Sequence, residues 1–179
     1  MNLLILLFSI LIFFPFNFYN ALQPSNHACS YTIQIETTCA TSAGTKDPVG
    51  IRFGDSNGNL VIIKNLKNPK MLYGPKLGTR KQWGVYRGFE RCAVDMYEVG
   101  GVCMSQGVCS LYVKQFGADG WRPGWVKVLR QEGNGPAKVI SDVFYFRRFV
   151  PQNVWFGLNY CDTNKRAQPQ TVSFVEDSN

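Results

Sequence analysis

Acid–base chemistry in this chain rests on few groups: one histidine, His27, and twelve Asp and Glu residues. A nucleophile needs a base within hydrogen-bond reach and a third group that orients the base. His27 stands ahead of the patterned part of the chain, so no triad forms around it. Glycoside cleavage needs two carboxylates on opposite sides of a sugar, and nothing in the context of the acids marks such a pair. The sequence therefore reads as non-catalytic. Asp55-Ser56-Asn57-Gly58-Asn59 opens like a calcium loop, but Leu60 and Leu66 stand where its glycine and closing glutamate belong. An irregular cage drawn from separate loops leaves Asp47, Asp55, Asp119 and Asp162 as weak calcium candidates, against a plainer role as turn formers. No other cofactor is implied.

Contact chemistry has richer material. Lys64 to Arg91 holds eight bases and one acid, while the rest of the chain has 11 of each, so the whole net charge of +7 belongs to that segment. Lys76, Arg80 and Lys81 alternate there with Tyr73 and Trp83. Charges of this kind attract an anionic partner from a distance and aromatics hold it at contact. A lipid or membrane surface, an acidic cell-wall polysaccharide and an acidic protein all fit, as does a merely solvated loop. A second group lies in "GWRPGWVKVLRQ". Trp125 opens an apolar strand and is expected in the core. Trp121 precedes the turn beside Arg122, where no alternation places it inward; it is expected at the surface, with a cap over one end of the fold as the alternative.

The elements that position these residues are strands. "YTIQIETT" from Tyr31 alternates apolar and polar, as does "VGIRFGD" from Val49, and the Asn57-Gly58 turn before "LVIIKNL" predicts a hairpin. Further runs begin at Cys92, Cys109, Gly124, Lys138 and Val154. Eight short strands separated by Gly, Pro and Asn predict an antiparallel sandwich or barrel with little helix. Residues 67–88 read as a long loop. Residues 163–179 read as a polar tail in which "TVSFV" could add an edge strand.

Residues 1–21 carry no charge, and their apolar run from Leu3 to Phe14 has the length of a signal-peptide core; an uncleaved anchor is the alternative. Residues 22–28 form a lead and 29–162 the domain. All six cysteines lie beyond the leader, which predicts three disulfides in a secreted, extracellular protein, with the cell wall as one destination. Zinc spacing is absent. Six cysteines allow 15 pairings; Cys29 with Cys161 is preferred because it would join the domain ends. Nucleic acid does not suit such a chain, and a monomer is expected.

"CSYTIQIETTC", "DPVGIRFGDSNGN", "GFERCAVDMYEVGGVCMSQGVCSLYVKQFG" and "WRPGWVKVL" together resemble the plant embryo-specific protein 3 family, whose members are similar to single PLAT (lipoxygenase homology) domains. The likeness runs from about Cys29 to Cys161. The looser PLAT pattern is present at Gly44, Thr45 and Asp47, at Phe89-Glu90-Arg91, and at Pro123-Gly124-Trp125. The resemblance implies an eight-stranded β-sandwich of two four-stranded sheets. It also implies a non-catalytic module that contacts membranes, lipids or proteins, sometimes with calcium, in a seed or embryo setting.

Overall fold

The computed structural model describes residues 28–74, 87–130, 138–141, 143–161 and 173–175. Among these residues the chain forms eleven strands and no helix: β1 Ala28–Thr37, β2 Val49–Asp55, β3 Leu60–Ile63, β4 Lys70–Tyr73, β5 Val94–Val102, β6 Val108–Gln115, β7 Pro123–Arg130, β8 Lys138–Val139, β9 Phe144–Tyr145, β10 Trp155–Asn159 and β11 Ser173–Val175. One sheet runs β4-β5-β1-β7-β8 with β9 also on β7; the other runs β11-β10-β6-β2-β3. Every strand pairing is antiparallel. Eight strands have four residues or more, four in each sheet, which is the two-layer sandwich expected.

The alternation that marks β1 in sequence is also what builds the core. Tyr31, Ile33 and Ile35 are fully buried, and in register beside them Val126 and Val128 come from β7 and Tyr97 from β5. Val49, Ile51 and Phe53 of β2, with Leu111, Val113, Phe156 and Leu158, close the layer from the other sheet. Each such side chain contributes about 1.5–3 kcal/mol on burial. Tyr31 Oη is satisfied inside this layer, donating to Val102 O at 2.6 Å and accepting from Met104 N at 3.0 Å. The Asn57-Gly58 hairpin forms as expected, with Phe53 opposite Val61 and Gly54 opposite Leu60.

Two strands differ from the sequence reading. The run from Lys138 is broken, because Ile140 bonds both sheets, its N donating to Val128 O of β7 and its O accepting from Val108 N of β6, and Ser141 bridges to Val108 before Phe144 pairs with β7. Ser141 fastens the crossing: its Oγ accepts from Val128 N at 2.8 Å. In its place β4 makes up the eight, inside the segment read as loop. Its residues Lys70–Tyr73 show no burial alternation, and the register of this edge strand against β5 shifts between Met71 and Tyr73.

The disulfides are Cys29–Cys103, Cys39–Cys92 and Cys109–Cys161. The preference for Cys29 with Cys161 is therefore corrected. Cys29 belongs to the sheet of β1 and Cys161 follows β10 in the other, so each bridges to a neighbour near its own strand instead of spanning the domain ends. Three bridges in a domain this small fit an oxidising, secretory-type compartment.

Candidate functional site

One residue inserted in β7 decides which aromatic side chains reach the surface. Ile35 pairs with Val126 but Thr37 pairs with Pro123, so two residues, Gly124 and Trp125, stand opposite Glu36. A bulge of this kind reverses the inward–outward phase along a strand. Two tryptophans four residues apart would share a face of a regular strand; here they do not.

Trp121 is fully buried, its ring edge-on to Phe89 at 5.0 Å and its Nε1 donating to Thr37 Oγ1 at 3.2 Å. Trp125 is half-buried on the outer face, with Lys127 Nζ 5.9 Å from the ring centre. The expected roles of the two are thus exchanged. Trp121 is the core anchor, Trp125 the outward residue, and the bulge is the cause.

Around Trp125 the register assembles a row across the outer face of this sheet. Tyr73 on β4 lies opposite Val94 on β5, Val94 opposite Glu36 on β1, Glu36 opposite the bulge, and Trp125 opposite Tyr145 on β9. Strands are about 4.8 Å apart, so Tyr73 and Trp125 stand roughly 14 Å from each other. Tyr73 is 73% exposed, Tyr145 44% and Phe149, on the loop after β9, 49%. Cations cover the rings: Arg147 lies 5.1 Å from the centre of Tyr145, and Arg122 5.9 Å from that of Phe149.

The loop that carries Phe149 is held in place by the backbone. Phe146 N donates to Gly124 O, Arg147 N to Pro123 O and Val150 N to Trp121 O. Arg122 clamps the same turn, its Nε and Nη2 donating to Arg147 O at 3.2 and 3.0 Å. Sequence reasoning found Tyr73 and Arg122 but missed Tyr145, Arg147, Arg148 and Phe149. The signal available was that Phe144 and Phe146 flank Tyr145, which puts Tyr145 on the opposite face once either is assigned inward.

The other sheet also carries cations over rings, but these are closed. Arg52 lies over Tyr112 at 4.5 Å and over Trp155 at 5.5 Å, while Lys114 lies over Phe116 at 5.2 Å. Tyr112, Lys114 and Trp155 are all buried. The rings fit against strands stripped of side chains: a Cβ on Gly157 would meet Tyr112, and one on Gly50 the Phe116 ring.

Lys76, Arg80, Lys81 and Trp83 lie outside the described residues, as does Asp162. The other acids named as calcium candidates are engaged in fastening loops. Asp55 accepts from Asn57 N, Asn59 N and Asn59 Nδ2 within its own turn. Asp47 accepts from Asp119 N at 2.7 Å and Gln115 Nε2 at 2.9 Å, and Asp119 Oδ2 accepts from Lys46 N at 2.8 Å. Among the described residues no group of three or more His, Cys, Asp or Glu is disposed to hold a metal.

Those bonds, led by the Asp119 amide and then Gln115, hold the Asp47 carboxyl below its ordinary value of 3.8. A lowered folded value means stabilisation that is complete above the unfolded range and fades as pH falls through the folded one. Asp47→Asn is therefore expected to melt below the parent protein at neutral pH, with the gap closing in acid. Thermal melts of both across pH 2–7 check this.

The family described as Embryo-specific protein 3 (ATS3) matches residues 17–161. The chain belongs to this family. Embryo-specific protein ATS3A of Arabidopsis thaliana is similar at 37% identity over 152 residues, covering 83% of this ATS3-family chain and 73% of that protein. PLAT domain-containing protein 1, also from Arabidopsis thaliana, is 28% identical over 103 residues, covering 56% of this chain and 52% of its own length. A lipoxygenase (LOX) crystal structure superposes with a TM-score of 0.50 at 20% identity, over 70% of this chain and 16% of that one. That likeness establishes the fold of the ATS3-family domain as a PLAT-type sandwich. The matched part is a small share of the lipoxygenase, so the enzyme's activity does not come with it.

Proposed function

We propose that this ATS3-family protein is a secreted, non-catalytic module that seats on an anionic lipid surface through the outer-face row and the loop after β9. The observation that carries the reading is the exposure of Tyr73 and Tyr145 on the outer face, with Lys127 beside Trp125, Arg147 over Tyr145 and Arg122 over the exposed Phe149 of the adjoining loop. Exposed rings insert at the level of lipid headgroups, and each cation near an anionic surface adds about 1 kcal/mol. Lys76, Arg80 and Lys81 of the basic segment supply more charge close after Tyr73 in the chain. Three disulfides suit a surface on the extracellular side. The seed or embryo setting follows the family's name.

Sedimentation of the oxidised protein with phosphatidylglycerol vesicles tests the reading. Binding is expected in low salt and declines as salt rises, since screening shortens to about 8 Å at physiological ionic strength. Retention on acidic wall polysaccharide with none on vesicles would replace the lipid by a glycan. Capture of a discrete acidic protein alone would replace both.

A further inference from the structure

The ladder of cations and rings on the second sheet is closed at its rings and open at one cation. Arg52 is the one residue of β2 that is not buried. Its neighbours on the same face of the strand, Gly50 and Gly54, have no side chains, so Arg52 is all that β2 sends outward. The guanidinium lies over Tyr112 and Trp155, 4.5 and 5.5 Å from their ring centres. Those contacts hold it in place and engage its charge, but they leave the N–H donors of its fork unused. Among the described residues the Arg52 side chain has no hydrogen bond and no ion pair.

The surroundings fix what would fill the fork. Asp55 is the only acid in β2, β3, β6 and β10, and it is buried and bonded within its own turn. Lys114 shares the face of Arg52, and the exposed Lys64 follows β3. The face therefore attracts an anion. Opposite Arg52 on the edge strand stands Ile62, 48% exposed. Leu60, 47% exposed, leans over the bare Gly54, its Cδ1 3.4 Å from where a Cβ would stand. Neighbouring strands are about 4.8 Å apart, so one small molecule can reach both the fork and this apolar strip.

A planar carboxylate pairs with a guanidinium through two parallel N–H···O bonds. A phosphate would bring further oxygens over Ile62 and Leu60, and a neutral sugar would leave the charge unanswered. An acid with a hydrocarbon body meets both parts. We infer that this face binds a free aliphatic carboxylate, its head on Arg52 and its chain on Ile62 and Leu60. The site lies on the sheet opposite the proposed lipid contact and does not depend on that reading.

The test is an NMR titration of the full-length oxidised protein with sodium octanoate, holding ionic strength constant by exchange against sodium chloride. Saturable shifts at Arg52 Nε and at the Arg52, Leu60 and Ile62 amides are expected at millimolar octanoate. Acetate, which lacks the chain, should bind about tenfold more weakly. Arg52→Lys keeps the charge but loses the fork and should weaken octanoate binding about fivefold. Ile62→Ser should weaken it about threefold, and because Ile62 is exposed this variant should fold as the parent does. Absence of saturable shifts, or parent affinity in Arg52→Lys, would overturn the inference. Acetate as tight as octanoate would remove the apolar half of the site, and octyl phosphate tighter than octanoate would remove the carboxylate; either result would overturn it as well.

Discussion

Replacing Trp121 by alanine is expected to destabilise the domain by about 3–5 kcal/mol, whereas Trp125→Ala costs about 1 kcal/mol or less. Trp121 is wholly enclosed, and its loss opens a cavity beside Phe89 while leaving Thr37 Oγ1 without its indole donor. Nothing near it can collapse cheaply, because the loop it anchors is tied to Val150, Ala43 and Thr38 through the backbone at 121–122. Trp125 is only partly buried, with Lys127 Nζ 5.9 Å from its ring centre. Urea unfolding of both variants measures the two values. Equal losses would mean that the bulge does not separate the two rings.

The second large effect concerns binding. Lys127 lies beside Trp125, Arg147 over Tyr145, and Arg148 is exposed next to Arg147 in the chain; their combined change to glutamine is expected to remove about 3 kcal/mol of attraction to an anionic surface, roughly a hundredfold in vesicle affinity. The salt dependence should flatten in step. Phe149→Ser is expected to act differently, weakening binding at every salt concentration because it removes inserted apolar area and not charge. Phe149 is 49% exposed, so the variant should fold as the parent does. Vesicle sedimentation at two salt concentrations separates the two behaviours.

Much of this architecture is legible in the residues. Tyr31, Ile33 and Ile35 announce a strand with one face buried, and the Asn57-Gly58 turn announces its hairpin, because period-2 alternation and turn chemistry are local. The resemblance to the embryo-specific family carried the sandwich. What stayed hidden depends on non-local events. The phase of Trp121 and Trp125 turns on one inserted residue, and an inserted residue shows only in the register against β1. β4 has a strand's backbone bonds without a strand's pattern, since its register against β5 shifts between Met71 and Tyr73. Disulfide partners depend on which strand ends meet. Tyr145 and Phe149 sit among four aromatic or arginine neighbours in "FYFRRF", where the outward members are fixed only by the return of Phe144 to β7.

One face of one sheet is the proposed contact surface. NMR of the labelled protein bound to phosphatidylglycerol vesicles carrying a nitroxide at the headgroup addresses it residue by residue. Selective broadening is expected at Tyr73, Trp125, Tyr145, Arg147 and Phe149, with Leu60 to Ile63 and Ser110 to Lys114 on the opposite sheet unaffected. Broadening centred on β3 and β6, with the Trp125 row sharp, would contradict it.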